Sequence, residues 1–303
     1  MSIVNFSKGE IECLCYLHYL ISFYDISSFA MPIFIFVFVF NSGLSEHPKT
    51  IFLTAKENWG FYLRLIIYNN ILLPIGVWLV LQWLPIDPLY TNGLTIFFLT
   101  AGASTVIAFM MEVKLRSTYA VTSMILLTFM TVLVIPILLP FMIEGASITS
   151  FELVQSLVTS ILLPLLIGMG LRLFFESFVD TIRPFILKAQ KILLNVAIYG
   201  MMIGLIPELI QLIGSGVVVT GVGLVVLAFL GGYLIEVKNS SQSMKLTSGF
   251  VGGQKNGAVT FAVAINNFSD PNMILIIAVI GALSTVIFSM MSTYIGKNQK
   301  VLI

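Results

Sequence analysis

The chain has little charge. Aspartate, glutamate, lysine and arginine make up 10% of its 303 residues, against 58% hydrophobic. With apolar runs recurring from Phe29 to Ile295, that scarcity excludes a soluble globular fold and leaves an integral membrane protein. Neither sign of charge dominates: fifteen basic and fourteen acidic residues give a net charge of +1, so nothing points to nucleic acid as a partner. Cysteine is nearly absent. Cys13 and Cys15, one residue apart, are too few and too close for a disulfide framework. With only His18 and His47 to join them, they do not suggest a metal site. The start lacks both a basic n-region and a small-residue cleavage site, so the first span is expected to be kept. No nucleotide-binding loop is present, which argues against a primary pump. The polar residues at membrane depth include neither histidine nor acid, which argues against an enzyme. No cofactor is expected.

What the sequence does have is apolar length. Windows of about 20 apolar residues predict nine membrane spans, starting near Tyr24, Phe61, Thr91, Thr118, Phe151, Lys191, Ser215, Ser248 and Pro271. Short links join them, so residues 1–303 read as one all-α polytopic domain in the lipid bilayer. The stretch "IECLCYLHYLISFY" before Asp25 carries Glu12 and His18; it is either an interfacial helix or a shortened tenth span. Thirteen of the fifteen basic residues fall in the links after spans one, three, five, seven and nine or beside them, and none in the opposite links. The positive-inside rule then puts those links and the C-terminus in the cytoplasm, with the cell membrane as the expected location. Lys8 lies in the N-terminal tail. Lys255, about 12 Å of helix rise from the inner end of its span, is the one cation at membrane depth.

Spans three and eight contain "TAGASTVIA" (100–108) and "GFVGGQKNGA" (249–258). Both gather glycine and polar side chains inside an apolar run. A helix-interior glycine costs about 1 kcal/mol relative to alanine, and unpaired backbone in lipid costs more. Each segment stands one span before the end of its half of the chain, as in an inverted-topology repeat, here 24–143 and 151–295. Interrupted helices of this kind expose backbone groups and helix ends that bind ions or substrate near the midplane. Close packing through small residues is the alternative, and the interleaved Gln254, Lys255 and Asn256 weigh against it.

In order, "FNSGL" (40–44), "NNILLP" (69–74), "GAST" (102–105), "TYAVTSMILLT" (118–128) and "KNGAVTFAVAINNFSDP" (255–271) resemble the bile acid:sodium symporter superfamily over residues 30 to 295. The resemblance implies a panel domain and a core domain, with spans three and eight as two unwound helices that cross. It also implies a small organic anion as substrate, carried by alternating access. Carried over position by position, Ser104 matches the serine of the first crossing helix, and Thr105 stands where asparagine is usual. Thr118 and Thr122 match a hydroxyl pair, and Asn69 stands where glutamine is usual. These oxygens suit a hard cation only as a partial set. The second crossing helix departs from the family's pattern: aligning Asn256 with the family asparagine puts Val251 at the glutamate and Lys255 at the glutamine. Letting Gln254 serve as that glutamine needs a one-residue bulge.

The sodium site implied by the resemblance thus has no acid and gains an ammonium, and Lys255 is expected to occupy it with Asn69, Ser104, Thr105, Thr118 and Thr122 around it. Sodium coupling is then weak or absent. A proton carried by Lys255 is a second option for the coupling ion, and pairing of Lys255 with an anionic substrate a third. A snorkelling lysine whose head reaches the inner interface is the bland alternative. The expected function is secondary transport of a small organic anion; the alternatives are ordinary sodium symport and a non-transporting receptor or assembly protein on the same scaffold. Asn195 and Glu208 on span six are weaker candidates, and Asp270 reads as the cap of the last helix.

Overall fold

The computed structural model describes residues 29–143, 150–204, 206–237, 240–268 and 270–298. Among them every regular element is helical. The order is α1 (Phe29–Gly43), α2 (Pro48–Glu57), α3 (Trp59–Ile67), α4 (Leu73–Gln82), α5 (Pro88–Leu99), α6 (Thr105–Glu112), α7 (Thr118–Met142), α8 (Ser150–Leu157) and α9 (Leu163–Phe174). There follow α10 (Glu176–Gly204), α11 (Ile206–Gly214), α12 (Val217–Leu234), α13 (Gln242–Gly253), α14 (Gly257–Asn267) and α15 (Pro271–Asn298). The tail that carries Cys13, Cys15 and the candidate tenth span lies outside the described residues.

Among the described residues, five helical stretches are long and apolar enough to cross a membrane: Trp59–Gln82, Thr118–Met142, Phe151–Phe174, Val217–Leu234 and Asn272–Asn298. A sixth is available if α1 and α2, bent by 68° at their junction, act as one span. The chain is therefore a multi-pass helical membrane protein with five to six spans by this measure, against the nine expected. The other three expected spans fall on helices that do not pass singly. Near Thr91 and Ser248 the helix is broken, as α5–α6 and α13–α14. The span near Lys191 is part of α10, which begins much earlier, at Glu176, and carries Arg183, Lys188 and Lys191 between its start and just past its midpoint.

Two of the crossing stretches contain a π-helical turn, Tyr68–Leu72 between α3 and α4 and Val158–Leu162 between α8 and α9. The same chemistry accounts for both. Pro74 and Pro164 stand at the second position of the helix that follows, and a proline ring inside a helix removes one N–H and crowds the carbonyl four residues back. Widening the turn relieves that clash. In the first stretch it leaves two consecutive asparagines, Asn69 and Asn70, fully buried.

Close helix packing comes from glycine where backbones nearly touch. A Cβ on Gly252 of α13 would run into the Ala228 carbonyl of α12, and one on Gly232 of α12 into the Ser248 carbonyl of α13. Ser248 donates to the Gly232 carbonyl at 2.6 Å, and Tyr68 donates to the Ala228 carbonyl at 2.8 Å. At one end of α12, Arg64 pairs with Glu236 at 2.6 Å, the carboxylate side chain fully buried and also accepting from Ser240 at 3.0 Å. These contacts tie α3, α12 and α13 together and fix the position of the second helix break.

Candidate functional site

The two breaks meet. In the first, Thr100 is extended and Gly102 adopts φ +90°, a left-handed conformation that glycine takes without penalty. A side chain there would also collide with α7 at the Met124 carbonyl and Thr128. In the second break, Gln254 and Asn256 are extended between α13 and α14. Asn256 Nδ2 donates to the Gly102 carbonyl at 3.0 Å and approaches Thr128 Oγ1 at 3.2 Å, while its Oδ1 caps α14 by accepting from the Val259 N–H at 3.3 Å. Thr100 and Thr260 share a hydroxyl–hydroxyl bond of 2.6 Å across the same junction. The Gly102 carbonyl freed by the first break is thus answered by a side chain of the second, as burial in an apolar setting demands.

Helix α7 supplies the rest of the support. Thr131 Oγ1 accepts from the Ala101 N–H at 3.1 Å and from Asn70 Nδ2 at 2.9 Å. Thr128 donates to its own helix at the Met124 carbonyl, 2.7 Å away, and so is free to accept from Asn256.

Lys255 is 2% exposed. A snorkelling lysine would reach water, so that reading does not hold. Its Nζ donates to Asn69 Oδ1 at 3.3 Å and lies 5.8 Å from the centroid of the Phe98 ring. Asn69 in turn donates to the Leu65 carbonyl at 3.1 Å, which fixes its oxygen toward the lysine. An ammonium carries three donors, and one bond to a neutral amide leaves most of that capacity unused.

Lys255 also lines a cavity of about 420 Å³. Its polar wall consists of Ser104, Thr105, Gln254, Lys255 and Thr285, and Asn195 of α10 reaches it from the other side. Phe34 and Phe38 of α1, Phe97 of α5, Phe261 of α14 and Leu194 of α10 make the apolar remainder. Among the described residues, no aspartate or glutamate lines it. The first turns of α6 and α14 both open on it, at Ser104–Thr105 and at Gly257–Ala258. The first N–H groups of a helix lack intrahelical partners and carry a partial positive charge. Lys255 and two such ends together give the cavity wall a positive polarity.

Of the sequence-derived site residues, the structure brings together Asn69, Gln254, Lys255 and Asn256 at the breaks, with Ser104 and Thr105 on the cavity wall. Thr118 and Thr122 take no part in the hydrogen bonds at the breaks. Thr118 is the first residue of α7, and Thr122 is buried beside Tyr62. The α7 hydroxyls that do reach the breaks, Thr128 and Thr131, lie up to about 20 Å farther along the helix than Thr118. The sequence reading missed them, together with Asn70, Thr260 and Thr285. A run of four threonines along one helix (122, 128, 131 and the initial 118) was a visible signal, but it does not say which of them face the breaks. Asp270 does cap α15, accepting from the Asn272 N–H at 2.8 Å. The side chain of Glu208 lies outside the described residues. Among the described residues, no group of three or more metal-ligating His, Cys, Asp or Glu side chains is present.

No family model matches the chain, and no curated protein matches it.

Proposed function

We propose that this protein is a secondary transporter that moves a small organic anion across a membrane by alternating access, with Lys255 as a tethered cation in place of a bound sodium ion. The observation that carries the reading is the cavity itself: about 420 Å³ beside the two helix breaks, with a buried lysine and, among the described residues, no carboxylate on its wall. Pockets of this size suit metabolite-sized ligands, and a buried ammonium at membrane depth calls for a counter-charge. An anionic ligand supplies it. The likeness to the bile acid:sodium symporter superfamily supports the same assignment, with α5–α6 and α13–α14 as the crossing pair of a core and α1, α8, α9 and α10 on the panel side. On that assignment the chain lies in the cell membrane with its C-terminus in the cytoplasm.

The test is a thermal-shift screen of purified protein against organic anions, followed by uptake of the hits into proteoliposomes with and without a sodium gradient. Uptake that needs no sodium and is lost in Lys255→Gln supports the assignment. Strong sodium dependence that survives Lys255→Gln overturns the role given to Lys255. Binding without flux would mark a receptor instead.

A further inference from the structure

The polar wall of the cavity contains an acceptor whose orientation is fixed and which nothing among the described residues satisfies. Gln254 is 4% exposed. Its Nε2 lies 2.9 Å from Thr285 Oγ1, and Thr285 Oγ1 lies 2.8 Å from the Gly281 carbonyl one turn back on α15. A carbonyl can only accept, so the single hydroxyl proton of Thr285 goes to Gly281. Thr285 must then accept from the glutamine, which presents NH₂ to it and leaves Oε1 on the other side of the amide. The hydroxyl relay therefore selects one of the two amide orientations by chemistry. Gln254 Oε1 is buried and has no hydrogen-bond partner. The hydroxyl of Thr105, on the same cavity wall, is likewise buried and unpartnered.

A buried acceptor left unmatched is expensive, and native structures seldom keep one without a use. Gln254 is already held at the helix break through its Nε2 bond to Thr285, so its oxygen is not needed for that anchorage. Lys255, next to it in the chain, turns its Nζ to Asn69 Oδ1 and makes no hydrogen bond to this oxygen.

We infer that the ligand of this cavity carries a neutral hydrogen-bond donor, a hydroxyl or an N–H, in addition to its anionic group, and that Gln254 Oε1, oriented by Thr285, is the acceptor that selects for it. The substrate class is a hydroxy- or amido-carboxylate with an apolar body rather than a simple fatty or aryl acid. Lys255 and the helix ends take the carboxylate, Gln254 takes the donor, and the phenylalanines take the body. This inference rests on the anion assignment above and narrows it.

Matched pairs of acids test it: 3-phenylpropionate against 3-phenyllactate, and aliphatic acids of four to twelve carbons against their 2- and 3-hydroxy forms, by calorimetry on the full-length protein in detergent. A hydroxyl that satisfies the open oxygen tightens binding about tenfold within a pair. In Gln254→Leu that ratio falls to about one. In Thr285→Val, where the amide is free to turn over, the ratio also falls, which keeps the test valid if Gln254→Leu does not fold. Lys255→Gln weakens both members of a pair and leaves their ratio in place. If acids bind but hydroxylated and plain members bind equally, water fills the acceptor's place, and the inference fails while the anion assignment stands. If no acid in the series binds, both fail.

Discussion

Replacing Lys255 by methionine separates a lysine kept for function from one kept for structure. The two side chains have similar length and volume, so the cavity wall is preserved. A charge held at membrane depth costs about 3 kcal/mol or more. Against that stand one hydrogen bond to Asn69, long at 3.3 Å and worth about 1 kcal/mol, and a ring contact at 5.8 Å, near the limit of the useful range and worth about 0.5 kcal/mol. The balance is a residue that costs the folded protein about 1.5 kcal/mol. Lys255→Met should therefore raise the unfolding temperature in detergent by about 3 °C, at about 2 °C per kcal/mol for a chain of this size, while abolishing anion binding. Asn69→Leu should act in the opposite direction, because it leaves the ammonium buried without its one protein partner; a fall of about 4 °C is expected on the same scale. The double variant should recover most of that loss. Thermal unfolding followed by intrinsic fluorescence measures all three. A fall of several degrees in Lys255→Met would mean that the lysine holds the breaks together, and the reasoning from its cost would be wrong.

Two further outcomes test the packing that positions the site. Gly252→Ala should prevent α12 and α13 from closing, because the new Cβ meets the Ala228 carbonyl, whereas Gly223→Ala in α12, with open space around it, should gain about 1 kcal/mol of helix propensity; the yield and unfolding temperature of the two variants should move in opposite directions. Arg64→Leu leaves the fully buried Glu236 side chain without its guanidinium, and since the arginine is part-exposed, a loss at the lower end of the buried range, about 2–3 kcal/mol, is expected in thermal unfolding.

How far the sequence could be read depended on whether a residue's role was local. Helix breaks are local: a glycine cluster with polar neighbours inside an apolar run is costly wherever it sits, and both breaks lie where "TAGASTVIA" and "GGQKN" place them. The isolation of Lys255 was also legible, because every other lysine and arginine past the N-terminal tail sits near a span end. What the lysine meets was less so. Asn69 could be named only through the family resemblance. Its orientation comes from the π turn before Pro74, a backbone accommodation whose register a one-dimensional pattern does not fix. The choice of Thr128 and Thr131 over Thr118 and Thr122 depends on how far α7 slides past α5–α6 and α13–α14. At that offset Gly102 lies so close to α7 that a side chain there would collide with it, a contact between segments more than twenty residues apart. The span count differs for a related reason. Hydropathy treats α5–α6 and α13–α14 as continuous apolar windows, but once each helix stops at its break neither half is long enough to count alone.

The breaks explain why a lysine is tolerated here. Each break releases backbone groups that would be costly in lipid, and the protein satisfies them with side chains of its own: Asn256 on the Gly102 carbonyl and Thr131 on the Ala101 N–H. Ser104, Thr105 and the first turns of α6 and α14 are left on the cavity wall. Had Lys255 been paired with a carboxylate of the protein, the positive helix ends would have had no anion to attract, and an anionic ligand would have met a neutral site. Leaving the lysine with one neutral partner keeps the charge available. On the proposed anion assignment, the cost of burying it lowers the stability of the empty protein and is recovered when a ligand brings the opposite charge. That is why stability and binding should change in opposite directions in Lys255→Met.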